Sequence, residues 1–216
     1  MVLHKLLSLF ANKRNSDSPD NGLFANFPHA TNETNPNKVE FYYVDYDLTK
    51  IEEHIKAIAE LLGIEIPEIH MVPYMVDYNG GHMLLDKKPE DAGIPVEYSE
   101  LGYANEDGSI HIGAYYPITG ELNTDAFVLT TIAHELRHVW QKAYEYNTYY
   151  KKNAMGANEC ISDIAEVDAD AFAMAYMQNR TSYPASEYME QLNIYMSYDR
   201  GARKNRSRMI RNKYFN

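Results

Sequence analysis

The residues of this chain whose types and spacing most directly suggest chemistry are two histidines with a glutamate between them. They belong to the stretch H-E-L-R-H, in which His134 and His138 stand four positions apart and Glu135 follows the first histidine. On a helix, residues four apart lie on one face, so both imidazoles can bind the same Zn2+ ion. Glu135 lies about a third of a turn away, where its carboxylate can take a proton from a metal-activated water. The spacing predicts a metal site and a hydrolytic reaction together, and the competing interpretation is a helix with two ordinary histidines.

The remaining ligand has to come from a histidine or a carboxylate further along the chain. The single cysteine, Cys160, excludes a cysteine-based structural zinc site, and a catalytic zinc usually binds three protein side chains and a water molecule. The region after His138 is rich in carboxylates, and at about 100° per residue four of them share one side of a helix. These are Glu159, Asp163, Glu166 and Asp170. They are candidates for the third ligand, and the alternative is an acidic face exposed to water.

The downstream motif gives the chain a resemblance to a known family. Residues 166–173 read E-V-D-A-D-A-F-A, which is similar to the E-x-x-A-(D/N)-x-F-A stretch of the compact ImmA/IrrE-type metallopeptidases, and the two motifs together resemble those of the gluzincins. The resemblance spans residues 109–177 and implies a zincin-like fold with Zn2+ as its cofactor. It also implies Glu135 as the general base and Asp170 as an acceptor that orients a ligand histidine. The metal ligands that it implies are His134, His138 and Glu166.

The chain departs from the family pattern at two places and matches a second pattern nearby. Arg137 stands before the second histidine, where the family often has a small residue, and Gln178 stands where the family often has a proline. Residues 158–163 read N-E-C-I-S-D, which resembles the N-E-x-x-S-D motif of thermolysin-like enzymes and makes Glu159 an alternative third ligand. The longer match around Glu166 favours Glu166.

The elements that must position these residues can be predicted from periodicity and turn residues. Aromatic and β-branched content predicts strands over residues 39–44, 68–76 and 108–116, with turns at 79–81 and 106–108. Apolar spacing predicts helices over residues 48–62, through the zinc motif, over 158–178 and after Pro184. The order predicts an α+β fold in which a small, mostly antiparallel sheet is followed by the active-site helix and further helices. Residues 108–116 are expected to form an edge strand that pairs with an extended peptide, or else an interior strand.

Composition predicts one folded domain between two polar ends. With 216 residues, of which 45% are hydrophobic, the chain can bury one core, which we place in residues 39–199. Residues 1–38 are predicted to be a flexible arm because they are rich in asparagine and proline. Residues 200–216 are a basic C-terminal tail with seven Lys or Arg residues and no acid, although the whole chain carries a formal charge of −11. The tail can bind a polyanion, fold back on the acidic body or simply stay solvated.

Location and function follow from these observations as expectations. The apolar run at the N-terminus is too short for a signal-peptide core, and no stretch is long and apolar enough to cross a membrane, so we expect a cytoplasmic protein. The predicted function is that of a zinc-dependent metallopeptidase, an endopeptidase acting on peptide or protein substrates, and nucleic acid is not predicted as a partner. The alternative is a non-catalytic, zinc-stabilised regulatory or binding module, although such a module has no use for Glu135. The sequence leaves the substrate and the oligomeric state open.

Overall fold

The structure is a computed structural model that describes residues 43–79, 81–149, 159–188 and 200–215, apart from the side chains of residues 147, 159–163 and 200–203. Its α-helices are α1 (Glu52–Leu62), α2 (Asp125–Tyr144), α3 (Tyr146–Tyr149), α4 (Glu159–Arg180) and α5 (Arg200–Tyr214). Its strands are β1 (Ile69–Val72), β2 (Tyr74–Tyr78), β3 (Gly81–Leu85), β4 (Ser99–Glu100), β5 (Gly102–Ala104) and β6 (Ile110–Gly113). None of the described helices is both long and apolar enough to span a membrane. The predicted α+β class is confirmed.

The strands form two sheets rather than the one small, mostly antiparallel sheet predicted from the sequence. The first sheet is mixed and has the order β1–β6–β5, in which β6 pairs parallel with β1 and antiparallel with β5. The second is antiparallel and has the order β3–β2–β4. Pro73 lies between β1 and β2, and proline has no N–H with which to continue a strand ladder. The predicted strand over residues 68–76 is therefore two strands that belong to different sheets.

The prediction that residues 108–116 form an edge strand is wrong. This segment contains β6, which is the middle strand of the mixed sheet. Strand β1 pairs with one side of β6, and β5 pairs with the other side, with Gly102 opposite Ile112 and Ala104 opposite Ile110. The interior-strand alternative therefore holds, and β5 is the edge strand on this side of the mixed sheet.

The turns agree with their predictions where the structure describes them. The helices also agree, except that the α-helix predicted over residues 48–62 begins at Glu52 and follows a 3-10 turn over Leu48–Lys50. Asn79, in the turn between β2 and β3, has a φ of 55°, and Gly108, in the turn between β5 and β6, has a φ of 87°. Helix α1 ends at Gly63, whose φ of 68° is the left-handed conformation that commonly terminates a helix. Helices α2 and α4 cover the two predicted motif helices.

Several predictions lie wholly or partly outside the described residues. These include the N-terminal arm over residues 1–38, the first part of the predicted strand over residues 39–44 and most of the helix predicted after Pro184. Residues 185–188 are helical. Val44 is not part of a strand, although its N–H donates to the Met71 carbonyl oxygen at 2.9 Å.

The largest hydrophobic cluster of the described residues lies between α1, α2, α4 and the mixed sheet. Its fully buried members include Ile55, Ile58, Ile110, Ile112, Leu129, Ile132, Leu136 and Phe172. The segment interpreted from the sequence as a basic tail forms α5, which packs on α4 and contributes Ile210 to this cluster. The sequence left three possibilities for this segment: binding a polyanion, folding back on the body or staying solvated. In the structure it folds back on the body of the protein.

Candidate metal centre

Helix α2 carries the first motif near its centre. The helix begins after Thr124, whose Oγ1 accepts a hydrogen bond from an N–H of the first turn at 3.2 Å. Its fully buried apolar residues include Leu129, Ile132 and Leu136. At about 100° per residue, these three lie on the opposite side of the helix from His134 and His138. The packing of the apolar side therefore fixes the direction in which the two histidines point.

Helix α4 runs antiparallel to α2 and brings the second motif to the histidines. His134 contacts Asp170, whereas His138, one turn later on α2, contacts Glu166, one turn earlier on α4. Glu166 reaches both rings: its Oε2 lies 3.2 Å from His134 Nε2 and its Oε1 lies 3.2 Å from His138 Nε2. The two Nε2 atoms are 2.9 Å apart. Two imidazole nitrogens and one carboxylate thus converge on a single point between the helices.

The helix group, the name we give to His134, His138 and Glu166, has the composition and size of a metal centre. Imidazole nitrogen and carboxylate oxygen are both ligands that Zn2+ takes. Ligand atoms about 2.0–2.1 Å from a tetrahedral ion lie about 3.3–3.4 Å from one another. The separations of 2.9 and 3.2 Å therefore need to widen by less than about 0.5 Å to admit the ion. The Glu166 side chain is 34% exposed, which leaves one side of the group open to solvent.

The Nδ1 atoms of His134 and His138, which point away from the other members of the helix group, each form a hydrogen bond. His134 Nδ1 lies 2.9 Å from Asp170 Oδ1, and His138 Nδ1 lies 2.9 Å from Gln141 Oε1. A carboxylate or amide oxygen accepts hydrogen bonds, so each Nδ1 donates and the Nε2 atom of the neutral ring carries the lone pair. Both lone pairs then face each other and the Glu166 carboxylate. A cation stabilises such an arrangement, so the residues fit a bound metal.

The charges of the helix group also favour a cation. Burial lowers the pKa of His134, but the hydrogen bonds and negative charges of Asp170 and Glu166 outweigh burial, so this pKa lies well above its usual value. Burial raises the pKa of Glu166, and the two histidines more than reverse this rise and hold the pKa well below its usual range. A metal ion that bound at His134 Nε2 would have to displace the proton from this nitrogen.

Glu135, the predicted general base, is buried beside the helix group and is only 5% exposed. Burial raises its pKa, the charges of His134 and His138 oppose the rise, and the charge of Glu166 adds to it. The net effect is a raised pKa. A carboxylate whose pKa lies nearer to neutrality is better suited to accept and return a proton.

Strand β5 lies directly against Glu135 at Gly102. A Cβ atom at position 102 would lie 2.6 Å from Thr131 Cγ2 and 2.7 Å from Glu135 Oε1, closer than non-bonded atoms normally approach. Gly102 does not have a positive φ, so the close approach rather than the backbone conformation requires a glycine here. Lys142 donates a hydrogen bond to the Ala104 carbonyl oxygen at 2.6 Å and ties the same strand to α2.

A second set of metal-capable side chains, which we call the sheet group, lies on the antiparallel sheet. It consists of Asp77 on β2, His82 on β3 and Glu100 on β4, whose ligand atoms lie within 4.8 Å of one another. His82 Nδ1 lies 2.6 Å from Glu100 Oε2, and the His82 ring stacks on Tyr103 with the ring centroids 3.6 Å apart. Sequence reasoning missed this group because it depends on the strand register, which places Asp77 opposite His82.

Sequence reasoning also missed the buried side chains behind the helix group. Arg137, noted only as a departure from the family pattern, is 2% exposed, and its Nε donates to Asp168 Oδ2 at 2.7 Å. Its guanidinium carbon lies 3.8 Å from the centroid of the Trp140 ring. Gln141 and Arg206 also donate to Asp168. The signal that the sequence offered was the position of Arg137 and Asp168 inside the two motifs.

The alternative third ligand, Glu159, is the first residue of α4, and its side chain lies outside the described part of the chain. It precedes Glu166 by seven residues, which separates the two Cα atoms by about 10 Å along the helix axis. Of the predicted site residues, the structure brings the helix group together and places Glu135 and Asp170 beside it. Glu166 is the carboxylate that the described structure brings to both histidines.

No protein-family model, curated protein or solved structure matches this chain.

Proposed function

We propose that this protein is a zinc-dependent metallopeptidase with a zincin-like fold, of the gluzincin type that the ImmA/IrrE-like motifs indicate. One observation carries the proposal: His134 Nε2, His138 Nε2 and the Glu166 carboxylate converge with separations of 3.2 Å or less, with the buried Glu135 beside them. A metal centre that only stabilises a fold gains nothing from an adjacent buried carboxylate. A hydrolytic centre needs a base at that place.

Several of the described side chains are suited to a part in such a hydrolysis. Zinc, when bound to the helix group, lowers the pKa of a water molecule and polarises the carbonyl of the scissile amide. Glu135 accepts the proton of the attacking water, and its raised pKa allows it to return this proton to the leaving amine. Asp170 and Gln141 hold the two rings so that Nε2 faces the metal position. Gly102 lets β5 pack against Glu135 and restrict the movement of its carboxylate.

The proposed substrate is a peptide or protein and the proposed cofactor is Zn2+. The Glu166 side chain is 34% exposed, so solvent reaches the helix group from that side. The alternative function is a zinc-stabilised regulatory or binding module that hydrolyses nothing. The buried Glu135 with its raised pKa weighs against this alternative, because burying a carboxylate is costly and a binding module gains nothing from it.

The variant Glu135→Gln tests the proposal because it keeps the size of the side chain and removes the carboxylate that accepts the proton. We expect the variant to retain zinc and to cleave a peptide library about 100- to 10,000-fold more slowly than the wild type, which is the usual contribution of a general base. Glu60→Gln, at an exposed position of α1, is the matched control and should cleave like the wild type. Elemental analysis and mass spectrometry of cleavage products are carried out on the same samples.

Three outcomes contradict the proposal in different ways. Equal cleavage by the wild type and Glu135→Gln removes Glu135 from its role as base. A wild-type protein that binds zinc but cleaves nothing in a broad peptide library favours the binding module. A wild-type protein that takes up no zinc on reconstitution excludes both functions.

A further inference from the structure

The buried carboxylate of Asp168 connects three parts of the molecule. Its Oδ2 accepts hydrogen bonds from Arg137 Nε at 2.7 Å and from Gln141 Nε2 at 2.9 Å. Its Oδ1 accepts one from Arg206 Nε at 2.5 Å, and Arg206 belongs to α5. A buried carboxylate is tolerated when such donors surround it. Asp168 therefore links α2, which carries the histidines, to the C-terminal helix.

The orientation of the Gln141 amide follows from its hydrogen-bond partners. Gln141 Nε2 donates to the Ala165 carbonyl oxygen at 3.0 Å and to Asp168 Oδ2, and both of these partners are acceptors. The amide oxygen must then point the other way, toward His138 Nδ1 at 2.9 Å. An amide oxygen only accepts, so the proton of the neutral His138 ring lies on Nδ1 and the lone pair lies on Nε2. The reversed amide would favour a proton on Nε2, which cannot then bind a metal.

The position of the Asp168 carboxylate depends on donors at both of its oxygens. Arg137 is immobilised against Trp140 and holds mainly Oδ2, since its second contact, to Oδ1, is longer at 3.4 Å. Arg206 holds Oδ1, and its Nη2 also donates to Tyr149 Oη at 3.0 Å, which fixes the guanidinium in place. With Oδ1 held by α5, Oδ2 stays directed at Gln141.

We propose that Arg206 is a positioning residue of the metal centre. By holding Asp168 Oδ1, it keeps the Gln141 amide oxygen turned toward His138 and keeps His138 Nε2 available for a metal ion. The docking of helix α5 thereby sets the metal affinity of a site to which α5 contributes no ligand. This inference rests on the metal site of the proposed function and does not require that the site hydrolyses peptides.

The test measures the zinc affinity of the full chain by competition with a chelator. Arg206→Ala should weaken zinc binding by roughly 3- to 10-fold, less than the roughly 10- to 100-fold expected for Gln141→Leu, because Arg206 acts two hydrogen bonds further from the ligand than Gln141 does. Arg206→Lys keeps a positive charge beside Asp168 and should recover part of the affinity. Arg208→Ala, at an exposed position of the same helix, is the matched control and should bind zinc like the wild type.

A double variant separates positioning from general stabilisation of the fold. If Arg206 acts through Gln141, adding Arg206→Ala to Gln141→Leu should weaken zinc binding by less than about twofold more. Thermal unfolding of the zinc-free variants reports the purely structural cost. A lower melting temperature for Arg206→Ala with unchanged zinc affinity overturns the inference. An equal loss of affinity in the presence and absence of Gln141 also overturns it.

The tautomer of His138 provides a readout that needs neither zinc nor activity. Nitrogen chemical shifts of the neutral ring in the zinc-free protein should place the proton on Nδ1 in the wild type and show a larger share of the other tautomer in Arg206→Ala. Identical shifts in the two proteins overturn the inference. A protein that binds zinc without cleaving peptides disproves the hydrolytic function, while the dependence of zinc affinity on Arg206 still supports the positioning role.

Discussion

The helix group and the sheet group contain the same kinds of side chain but hold them differently. In the helix group, Asp170 and Gln141 occupy the Nδ1 atoms of the two histidines, so both Nε2 atoms face the carboxylate. In the sheet group, His82 Nδ1 is bound by Glu100 itself, at 2.6 Å. The His82 side chain is 38% exposed, whereas that of His138 is 9% exposed. In the helix group, residues outside the group bind the Nδ1 atoms of the histidines, whereas in the sheet group a member of the group binds the histidine Nδ1.

The carboxylates of the two groups also differ in charge state. Burial raises the pKa of Glu100 to about 7, even though the hydrogen bond and charge of His82 oppose the rise. Near neutral pH much of Glu100 is therefore protonated, and a protonated carboxyl is a poor metal ligand. The two histidines hold Glu166 ionised. We therefore expect close metal-capable side chains to bind an ion well only when other residues orient their histidine rings and keep their carboxylates charged.

The largest expected effect is a loss of bound zinc when a ligand of the helix group is removed, with no loss when a member of the sheet group is removed. The wild type should bind close to one zinc ion per chain. Glu166→Ala should abolish retention because it removes a ligand, whereas His82→Ala, which removes the imidazole of the sheet group, should leave the zinc content unchanged. Glu159→Ala should keep most of the zinc. Elemental analysis after reconstitution and removal of free metal gives the stoichiometry.

Two results would break this part of the comparison. A wild type with two zinc ions per chain, one of which is lost in His82→Ala, would make the groups equivalent. Loss of zinc in Glu159→Ala with retention in Glu166→Ala would move the third ligand to the start of α4.

A smaller effect is expected from the residues that hold the rings. Asp170→Ala should weaken zinc binding by roughly 10- to 100-fold without abolishing it, because His134 keeps its Nε2 but loses the acceptor that orients the ring. Glu100→Ala, which removes the corresponding acceptor of His82, should leave zinc affinity unchanged. Chelator competition measures both variants. Equal losses for Asp170→Ala and Glu166→Ala would show that Asp170 is itself a ligand.

The smallest effect is a difference in the pH dependence of stability of the zinc-free protein. Because the folded pKa of Glu100 is raised, its ionisation costs stability as the pH rises from about 4.5 through about 7. Glu100→Gln avoids this cost, so its free energy of unfolding should rise by about 1–3 kcal/mol relative to the wild type over that range.

Glu166 has a lowered pKa, so the stability advantage of the wild type over Glu166→Gln should shrink as the pH falls below about 4.5. Denaturant unfolding at several pH values checks both signs, and parallel curves for the two variants would contradict the contrast.

The sequence revealed the helix group more readily than the sheet group for a physical reason. A helix has a fixed period, so the spacings from His134 to His138 and from Glu166 to Asp170 already specify which side chains share a face. The helix end at Gly63 depends on an equally local rule, and the α+β class follows from the order of the predicted elements.

The rest of the site depends on packing between distant segments, which spacing does not encode. The pairing of Asp168 with Arg206 exists because α5 docks on α4, and the sequence alone left that segment as a basic tail with several possible fates. The sheet group depends on the register of β2, β3 and β4. The position of β6 inside its sheet depends on the pairing of β5, a strand of three residues too short to show a period.

Gly102 has a consequence for how this protein can vary. A side chain at position 102 would occupy the space of the Thr131 methyl group and the Glu135 carboxylate, so these three positions cannot change independently. A larger residue at position 102 is accommodated only when the side chains of both Thr131 and Glu135 are shortened or displaced. If these positions are randomised and the variants are selected for folding alone, glycine should persist wherever Thr131 and Glu135 persist and be released where both are replaced by smaller residues. The residue that the proposed reaction uses as its base thus limits what can stand at position 102, although Gly102 itself has no functional group.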